Sequence, residues 1–559
     1  MKKRILLIII SIVLIVPISY IAICINFNLD IFKSFYIIED IYKGLFINKR
    51  KLQKEVWICL LYGLLPLFIT IIYILNTRMK PSYGYAHFAG VKDLYKMKLN
   101  FKKGFVLGLY KTSLFNLKKL FYDDPKSILV IASPGTGKTS SVIIPNLLSI
   151  PYSAIVIDIK GELSEITRNV REKVLKNKIF IFNPFGDDNN LYFNPFDKEI
   201  LKEKDFNEIF ELVKEISNIL FVVPKEIKDP FWINQGKKLF RFFAMYDISK
   251  NGYTNFFEIM QYPTKSEDDL LTLQYKQLKI DIEEVEERKI DVMQFFFKQA
   301  SEQDFVDPLI QNLAREFERM NSKSFKDIVS TFNEKLEVFN DYRMQKVVSK
   351  MSFKYQDLRK ENITIYLKVK EKDIDTLSPF IRIFTENVGK NLMIKENNNP
   401  KERVWFFLDE FTRFGQLPFL LELPSISRSY NLPSVFSTQT DAHIRKTYSI
   451  DDLDIITGSC HYKIIFTLND DKTAERMSKA IGNITRHKVS ESSQENKIFG
   501  SKNKSLEGYA LLTAQDLQNI PQDELIISVA GHKATPIKAK ANYYFKNSKY
   551  TRLIKKYNK

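Results

Sequence analysis

Residues 127–150 read SILVIASPGTGKTSSVIIPNLLSI. A short apolar run, SILVIA (127–132), enters a glycine-containing turn, and KTSSVIIPNLLSI (138–150) reads as a helix. The octet ASPGTGKT at 132–139 fits the phosphate-binding pattern G-x-x-x-x-G-K-[ST] except at its first position, where Ala132 replaces glycine. Strand, loop and helix in that order are the context that gives such a match physical content. Gly135 and Gly137 let the backbone turn its N–H groups onto phosphates. Lys138 supplies charge for the β- and γ-phosphates, and Thr139 supplies a hydroxyl to Mg2+. The helix start adds partial positive charge. The first position only ends the strand, and alanine can do that where φ stays negative. The expected nucleotide-binding set is Ser133, Pro134, Gly135, Thr136, Gly137, Lys138, Thr139 and Ser140. The expected ligands are ATP and Mg2+.

Such a loop needs a metal-side carboxylate at the end of an apolar strand. Residues 404–410, VWFFLDE, deliver Asp409 to a strand's end as the metal carboxylate, and Glu410 follows as general base. Taken alone, the pair would be a solvated acidic strand end; the upstream loop gives it a partner. A further apolar strand, VFSTQ (435–439), ends in Gln439, placed to sense the γ-phosphate. More strand-like runs are SAIVIDI (153–159), KIFIFNP (178–184), NITIYLKV (362–369), YKIIFTL (462–468) and ELIISVAG (524–531). Strands alternating with helices predict an α/β fold with a mainly parallel sheet covered on both faces.

The 559 residues exceed one ordinary core, so at least two folded units are expected. A hydrophobic content of 45% excludes a largely disordered chain. The net charge of +18 favours a polyanion, nucleic acid or an anionic leaflet; a solvated lysine-rich surface explains it equally well. Cys24, Cys59 and Cys460 have no metal or disulfide spacing.

Two stretches, 5–25 and 56–75, carry no charge and have about the ~20 residues a helix needs to cross a bilayer. A cleaved signal peptide is the alternative for the first, because Lys2, Lys3 and Arg4 precede it. Basic residues before the first span and after the second (Arg78, Lys80, Lys92, Lys96) place both ends in the cytoplasm. Lys49, Arg50, Lys51 and Lys54 in the connecting loop blur that rule, but an ATP site must face the cytoplasm. The expectation is a multi-pass protein of the inner (cytoplasmic) membrane with the rest of the chain soluble.

Residues 200–355, between the two halves of the nucleotide site, are rich in helix formers and read as an inserted helical unit. The stretch 270–299 within it is amphipathic and fits either a bundle or a coiled-coil arm. Residues 486–506 are polar and read as a mobile loop. The basic tail, FKNSKYTRLIKKYNK, has no clear partner among DNA, lipid and water.

No LSGGQ-type or NKxD motif is present, which counts against an ABC transporter and a small GTPase. The ordered motifs IDIKGELSEIT (157–167), FNPF (182–185), YFNPFD (192–197), FW (231–232), LDEFTRFGQLP (408–418), RSYNLPSVFSTQ (428–439) and YALLTAQDLQNIP (509–521) add a family. The chain resembles the type IV secretion coupling proteins, the TraG-type membrane ATPases of bacterial conjugation, over most of its length. The resemblance implies a RecA-like P-loop motor with an inserted all-α domain, preceded by two transmembrane helices. The corresponding division is 1–80 anchor, 81–199 and 356–545 motor, 200–355 insert and 546–559 basic tail. It also implies a homo-hexamer that joins the relaxase–DNA complex (the relaxosome) to the secretion channel proteins and moves single-stranded DNA. An arginine from a neighbouring subunit should complete the site, with Arg413 and Arg428 as candidates. The alternatives are an FtsK-like double-stranded DNA translocase, usually with a long linker and a C-terminal winged-helix module, and a nucleotide-bound scaffold without transport.

Overall fold

Ile128–Ile131, the strand before the glycine loop, is buried on both faces, which explains its unbroken apolar sequence. Leu129 and Ile131 join one hydrophobic cluster, and Ile128 and Val130 join the other. The computed structural model describes residues 2–28, 30–31, 50–76, 83–113, 116–223, 229–264, 292–492 and 501–558. The chain divides into two compact units, residues 1–83 with 487–506, and residues 84–486 with 507–559.

The described strands are β1 Phe105–Ser113, β2 Asn116–Tyr122, β3 Ile128–Ile131, β4 Ser153–Asp158, β5 Lys178–Phe182, β6 Ile363–Lys368 and β7 Val404–Leu408. They continue as β8 Ser434–Thr438, β9 Tyr462–Ile465, β10 Asn483–Ser492, β11 Ser501–Ala510, β12 Glu524–Val529 and β13 Ile537–Lys540. Eleven of them form one sheet in the order β2-β1-β13-β12-β9-β3-β8-β7-β4-β6-β5. From β9 to β5 the neighbours are parallel; β12, β13, β1 and β2 extend that edge in antiparallel fashion. The expected parallel sheet is therefore the larger part of a mixed sheet. The eight strands anticipated in the sequence are all present. The antiparallel β1, β2 and β13 were not anticipated, because IKAK and NLKKLFY lack a strong alternating signal and are held by their neighbours.

Helices cover both faces. One face carries helices from residues 198–347 together with Ile374–Leu392 and Pro418–Tyr430 in a single core with the sheet. Phenylalanines fill it: Phe242, Phe243, Phe296, Phe297, Phe317 and Phe332 are all buried. Most of the amphipathic stretch 270–299 lies outside the described residues. The other face carries the helix after the glycine loop, Glu162–Lys173 and Ser548–Tyr557. The basic tail is thus largely a docked helix. Tyr550 is buried, Leu553, Ile554 and Tyr557 pack on the core, and the Asn558 side-chain amide donates to the Glu165 carbonyl at 2.9 Å. The polar segment 486–506 is not simply a loop: β10 and β11 pair with each other there, and 493–500 lie outside the described residues.

Arg171 is 1% exposed, and its guanidinium ties the second face together. It donates to Thr364 Oγ1 at 2.7 Å, to the carbonyls of Leu147 (2.7 Å), Ile150 (3.0 Å) and Tyr152 (2.6 Å), and to Asn177 Oδ1 at 2.8 Å. Burial pulls its pKa down to about 10, so it stays charged at neutral pH. Arg171→Met strands those acceptors and is expected to destabilise the unit by roughly 3–5 kcal/mol. Urea denaturation measures this; a loss under about 1 kcal/mol would show that Arg171 does not hold the loop helix in place.

Glu386, on Ile374–Leu392, is pushed up to about 7 by burial against the opposing pull of Lys390 and Arg382. The folded chain keeps a proton that the unfolded chain releases near 4.5, so stability falls as pH rises from about 4.5 to about 7. Glu386→Gln should flatten that fall and recover about 2–3 kcal/mol at pH 8. Denaturation midpoints of both proteins at pH 5 and pH 8 give the comparison.

In the first unit, helices Lys2–Val13 and Ile15–Asn26 run against Arg50–Gly63 and Leu65–Asn76. Ser11 Oγ and Thr70 Oγ1 share a hydrogen bond of 2.5 Å, and Cys59 Sγ donates to the Ala22 carbonyl. A Cβ at Gly63 would fall 1.9 Å from Ser19 Oγ, so glycine is what lets the helices close. Ile9, Val16, Trp57 and Phe68 face outward. Among the described residues one helix, Leu6–Asn26, is long and apolar enough to cross a membrane, and it supports an N-terminal anchor. The expected second span, 56–75, is helical, but its apolar part, Trp57–Tyr73, falls short of that length. No disulfide joins Cys24, Cys59 and Cys460.

Candidate nucleotide-binding site

The phosphate-loop pattern lies where the parallel strands end. β3 stops at Ile131, Gly135 and Gly137 take φ of 76° and 87°, and a helix starts at Thr139. Ala132 extends the pairing by donating to the Thr438 carbonyl at 3.1 Å and is not among the positive-φ residues, so its methyl is tolerated. The loop is fixed from several sides. Ser133 Oγ accepts from the Asn469 N–H at 2.9 Å, and Thr136 Oγ1 donates to the Ser133 carbonyl at 2.7 Å. Both side chains therefore serve the loop's shape and do not line the cleft. Asn146, in the helix that follows, clamps Val106 of β1 by accepting from its N–H at 2.7 Å and donating to its carbonyl at 2.9 Å.

β7 stands two strands from β3, with β8 between them. This order carries Asp409 and Glu410 to the loop across 270 residues of chain. Thr139 Oγ1 donates to Asp409 Oδ2 at 3.0 Å. Lys138 Nζ lies 3.2 Å from Glu410 Oε1 and 3.5 Å from Asp409 Oδ1. Gln439, just beyond β8, donates to Glu410 Oε1 at 3.0 Å. Pro134, Gly135, Gly137, Lys138, Thr139 and Ser140 share with Asp409, Glu410 and Gln439 a cleft of about 310 Å³.

Glu410 has φ 49° and ψ 42°, a left-handed conformation uncommon for a residue with a side chain. That strain at the end of β7 turns its carboxylate toward Lys138 and Gln439. Burial works to raise the Glu410 pKa, but Lys138, Gln439 and Arg413 outweigh it and hold the carboxyl below its ordinary value. Asp409 Oδ1 is buried and accepts no hydrogen bond. A carboxylate oxygen whose partner is the Lys138 ammonium at 3.5 Å, with the Thr139 hydroxyl on the same carboxylate, leaves room for a hard cation that takes most of its ligands from phosphate and water.

The family described as type IV secretory system conjugative DNA transfer matches residues 87–559. The chain belongs to this family. It is 23% identical to the conjugal transfer protein TraG of Escherichia coli over 464 residues, 77% of this chain and 68% of that protein. It is 23% identical to VirD4 of Agrobacterium fabrum over 491 residues, 86% of this chain and 68% of that protein. The solved structure of the plasmid coupling protein TrwB in complex with ADP and Mg2+ has the same fold. Its TM-score is 0.56 at 14% identity, covering 83% of this chain and 94% of that one.

Other residues of this family member line the cleft or support its loop. IDIKGE places buried Asp158 at the end of β4, where its carboxylate accepts from the N–H groups of Leu163 (3.1 Å) and Ser164 (2.7 Å). Burial raises its pKa against those bonds. Lys160 and Glu162 follow on the cleft wall. Tyr543 packs under Gly137, where an added Cβ would sit 2.5 Å from its ring. Only the fold could reveal Tyr543, because it lies 406 positions from Gly137 in the numbering. The two arginines separate. Arg413 sits beside its own chain's site, 3.9 Å from Glu410 Oε2 and 3.0 Å from Glu371 Oε1. Arg428 lies near the end of Pro418–Tyr430, exposed and, among the described residues, without an ion pair.

Proposed function

We propose that this chain is a membrane-anchored ATPase that couples conjugative DNA to a type IV secretion channel. The observation that carries the reading is one cleft holding Lys138, Thr139, Asp409, Glu410 and Gln439 in a member of the conjugative DNA transfer family. TrwB, which shares the fold, is solved with ADP and Mg2+, which supports nucleotide and magnesium binding here. In this reading the loop N–H groups and Lys138 hold the β- and γ-phosphates. Thr139 and Asp409 would hold Mg2+, which when bound neutralises charge on the phosphoryl oxygens. Glu410, kept ionised by Lys138 and Gln439, accepts the proton of the attacking water. Gln439 contacts both that carboxylate and the space beyond it, as a γ-phosphate sensor would.

The finer parts of the proposal follow the same logic. Residues 81–199 with 356–545 form the motor, 200–355 the helical insert, and Leu6–Asn26 the anchor, with Trp57–Tyr73 as its returning helix. A homo-hexamer places Arg428, exposed and unpaired among the described residues, at a neighbour's phosphate. Arg413 is held in its own site by Glu371 and is the weaker candidate. The positive surface suits single-stranded DNA delivered by a relaxase. A mating assay tests the whole: a strain carrying Lys138→Ala should transfer no plasmid, and normal transfer would overturn the proposal.

A further inference from the structure

The glycine loop borders two clefts. Gly135, Gly137 and Ser140 line the one that holds Asp409 and Glu410, and they also line a second of about 420 Å³. The sheet order puts these on opposite sides of β3: the carboxylates come from β7, beyond β8, and the second cleft is built from the ends of β12 and β13, beyond β9. β12 runs antiparallel to β9, so its start, at Gln522 and Asp523, returns to the edge where the loop lies. A triphosphate whose γ end meets Glu410 must therefore run its α-phosphate, ribose and base toward the second cleft.

That cleft carries an aromatic surface that is open to solvent on one side. Phe545 is 52% exposed. Behind it Tyr543 is buried, with ring centroids 5.1 Å apart and planes at 26°. Tyr543 is fixed on both sides: Oη donates to the Gln522 carbonyl at 2.6 Å, and its ring fills the space Gly137 leaves open. Lys546 Nζ stands 5.0 Å from the Tyr543 centroid and makes that rim cationic. A flat ring backed by a fixed ring, at the end of a phosphate track, suits a nucleobase. We propose that Phe545, backed by Tyr543, is the stacking platform for the purine base of the nucleotide whose phosphates lie on Gly135–Ser140.

The inference rests on the ATPase reading, so the test separates the two. The full-length protein in detergent micelles is titrated with ATP, UTP and inorganic tripolyphosphate, each with Mg2+, by calorimetry. The wild type should prefer ATP to UTP. Phe545→Ala should weaken ATP about tenfold, change tripolyphosphate by less than about twofold, and lose the preference over UTP. Phe545→Trp should bind ATP as the wild type does. Unchanged ATP binding by Phe545→Ala would overturn the platform, as would an equal loss for ATP and tripolyphosphate. A wild type that binds tripolyphosphate as well as ATP sinks the base site alone. A wild type that binds neither ligand sinks the ATPase reading and the base site with it.

Discussion

Lys138→Ala should lower ATP turnover by at least about a hundredfold, the scale on which a group facing transition-state charge acts. The structure gives the substitution two separate effects. The ammonium is the cation that reaches the phosphate track from the loop, and it also lies within 3.5 Å of both carboxylates. Without it, Asp409 and Glu410 face each other less compensated, and Glu410 loses the largest of the influences that lower its pKa. A weakened nucleotide grip and a base less readily ionised act in the same direction. Steady-state turnover of the full-length protein, with a thermal melt to confirm folding, decides it. A kcat within about threefold of wild type would remove Lys138 from the site.

Glu410→Gln separates the chemistry from the binding. The amide keeps the size of the side chain and can still accept from Gln439, but it cannot take a proton at neutral pH. Turnover should fall by about 10²–10⁴-fold, the usual contribution of a positioned base. Binding of Mg2+ and ATP should stay within about threefold, because in the proposed site the loop and Lys138, not Glu410, hold the phosphates. Parallel losses in binding and turnover would reassign Glu410 to ligand binding. A turnover within about tenfold of wild type would show that water is activated elsewhere. Since Lys138 and Gln439 hold its pKa low, the wild-type rate should keep its plateau down through the ordinary glutamate range.

Much of this site is legible along the chain, because each half is a local pattern. An apolar run followed by GTGKT forms strand, turn and helix whatever else the protein contains, and VWFFLDE is another run that ends in acids. The tail shows the limit. Its lysines left DNA, lipid and water open as partners, yet Tyr550, Leu553, Ile554 and Tyr557 fall at helical spacing on one face and dock on the sheet's cover. The charge of a segment says nothing of its apolar face, and packing used that face. The N-terminal helices show the opposite case: their apolar character was easy to read, but Gly63 against Ser19 is a fit visible only once the helices lie together.

By itself the sequence determined the eight strands that are plain apolar runs, the phosphate-loop pattern, the acidic pair and the family motifs, since those depend on neighbours within about ten residues. Tertiary structure alone decided that β8 stands between β3 and β7, which brings Lys138 to Glu410 across 272 positions. It alone decided the antiparallel edge of β12 and β13 and the aromatic pair beside the loop, the five hydrogen bonds of Arg171, and the left-handed turn at Glu410. The reason is physical: periodicity encodes which face of a segment is apolar, whereas strand order, burial of a charge and backbone strain depend on partners distant in sequence.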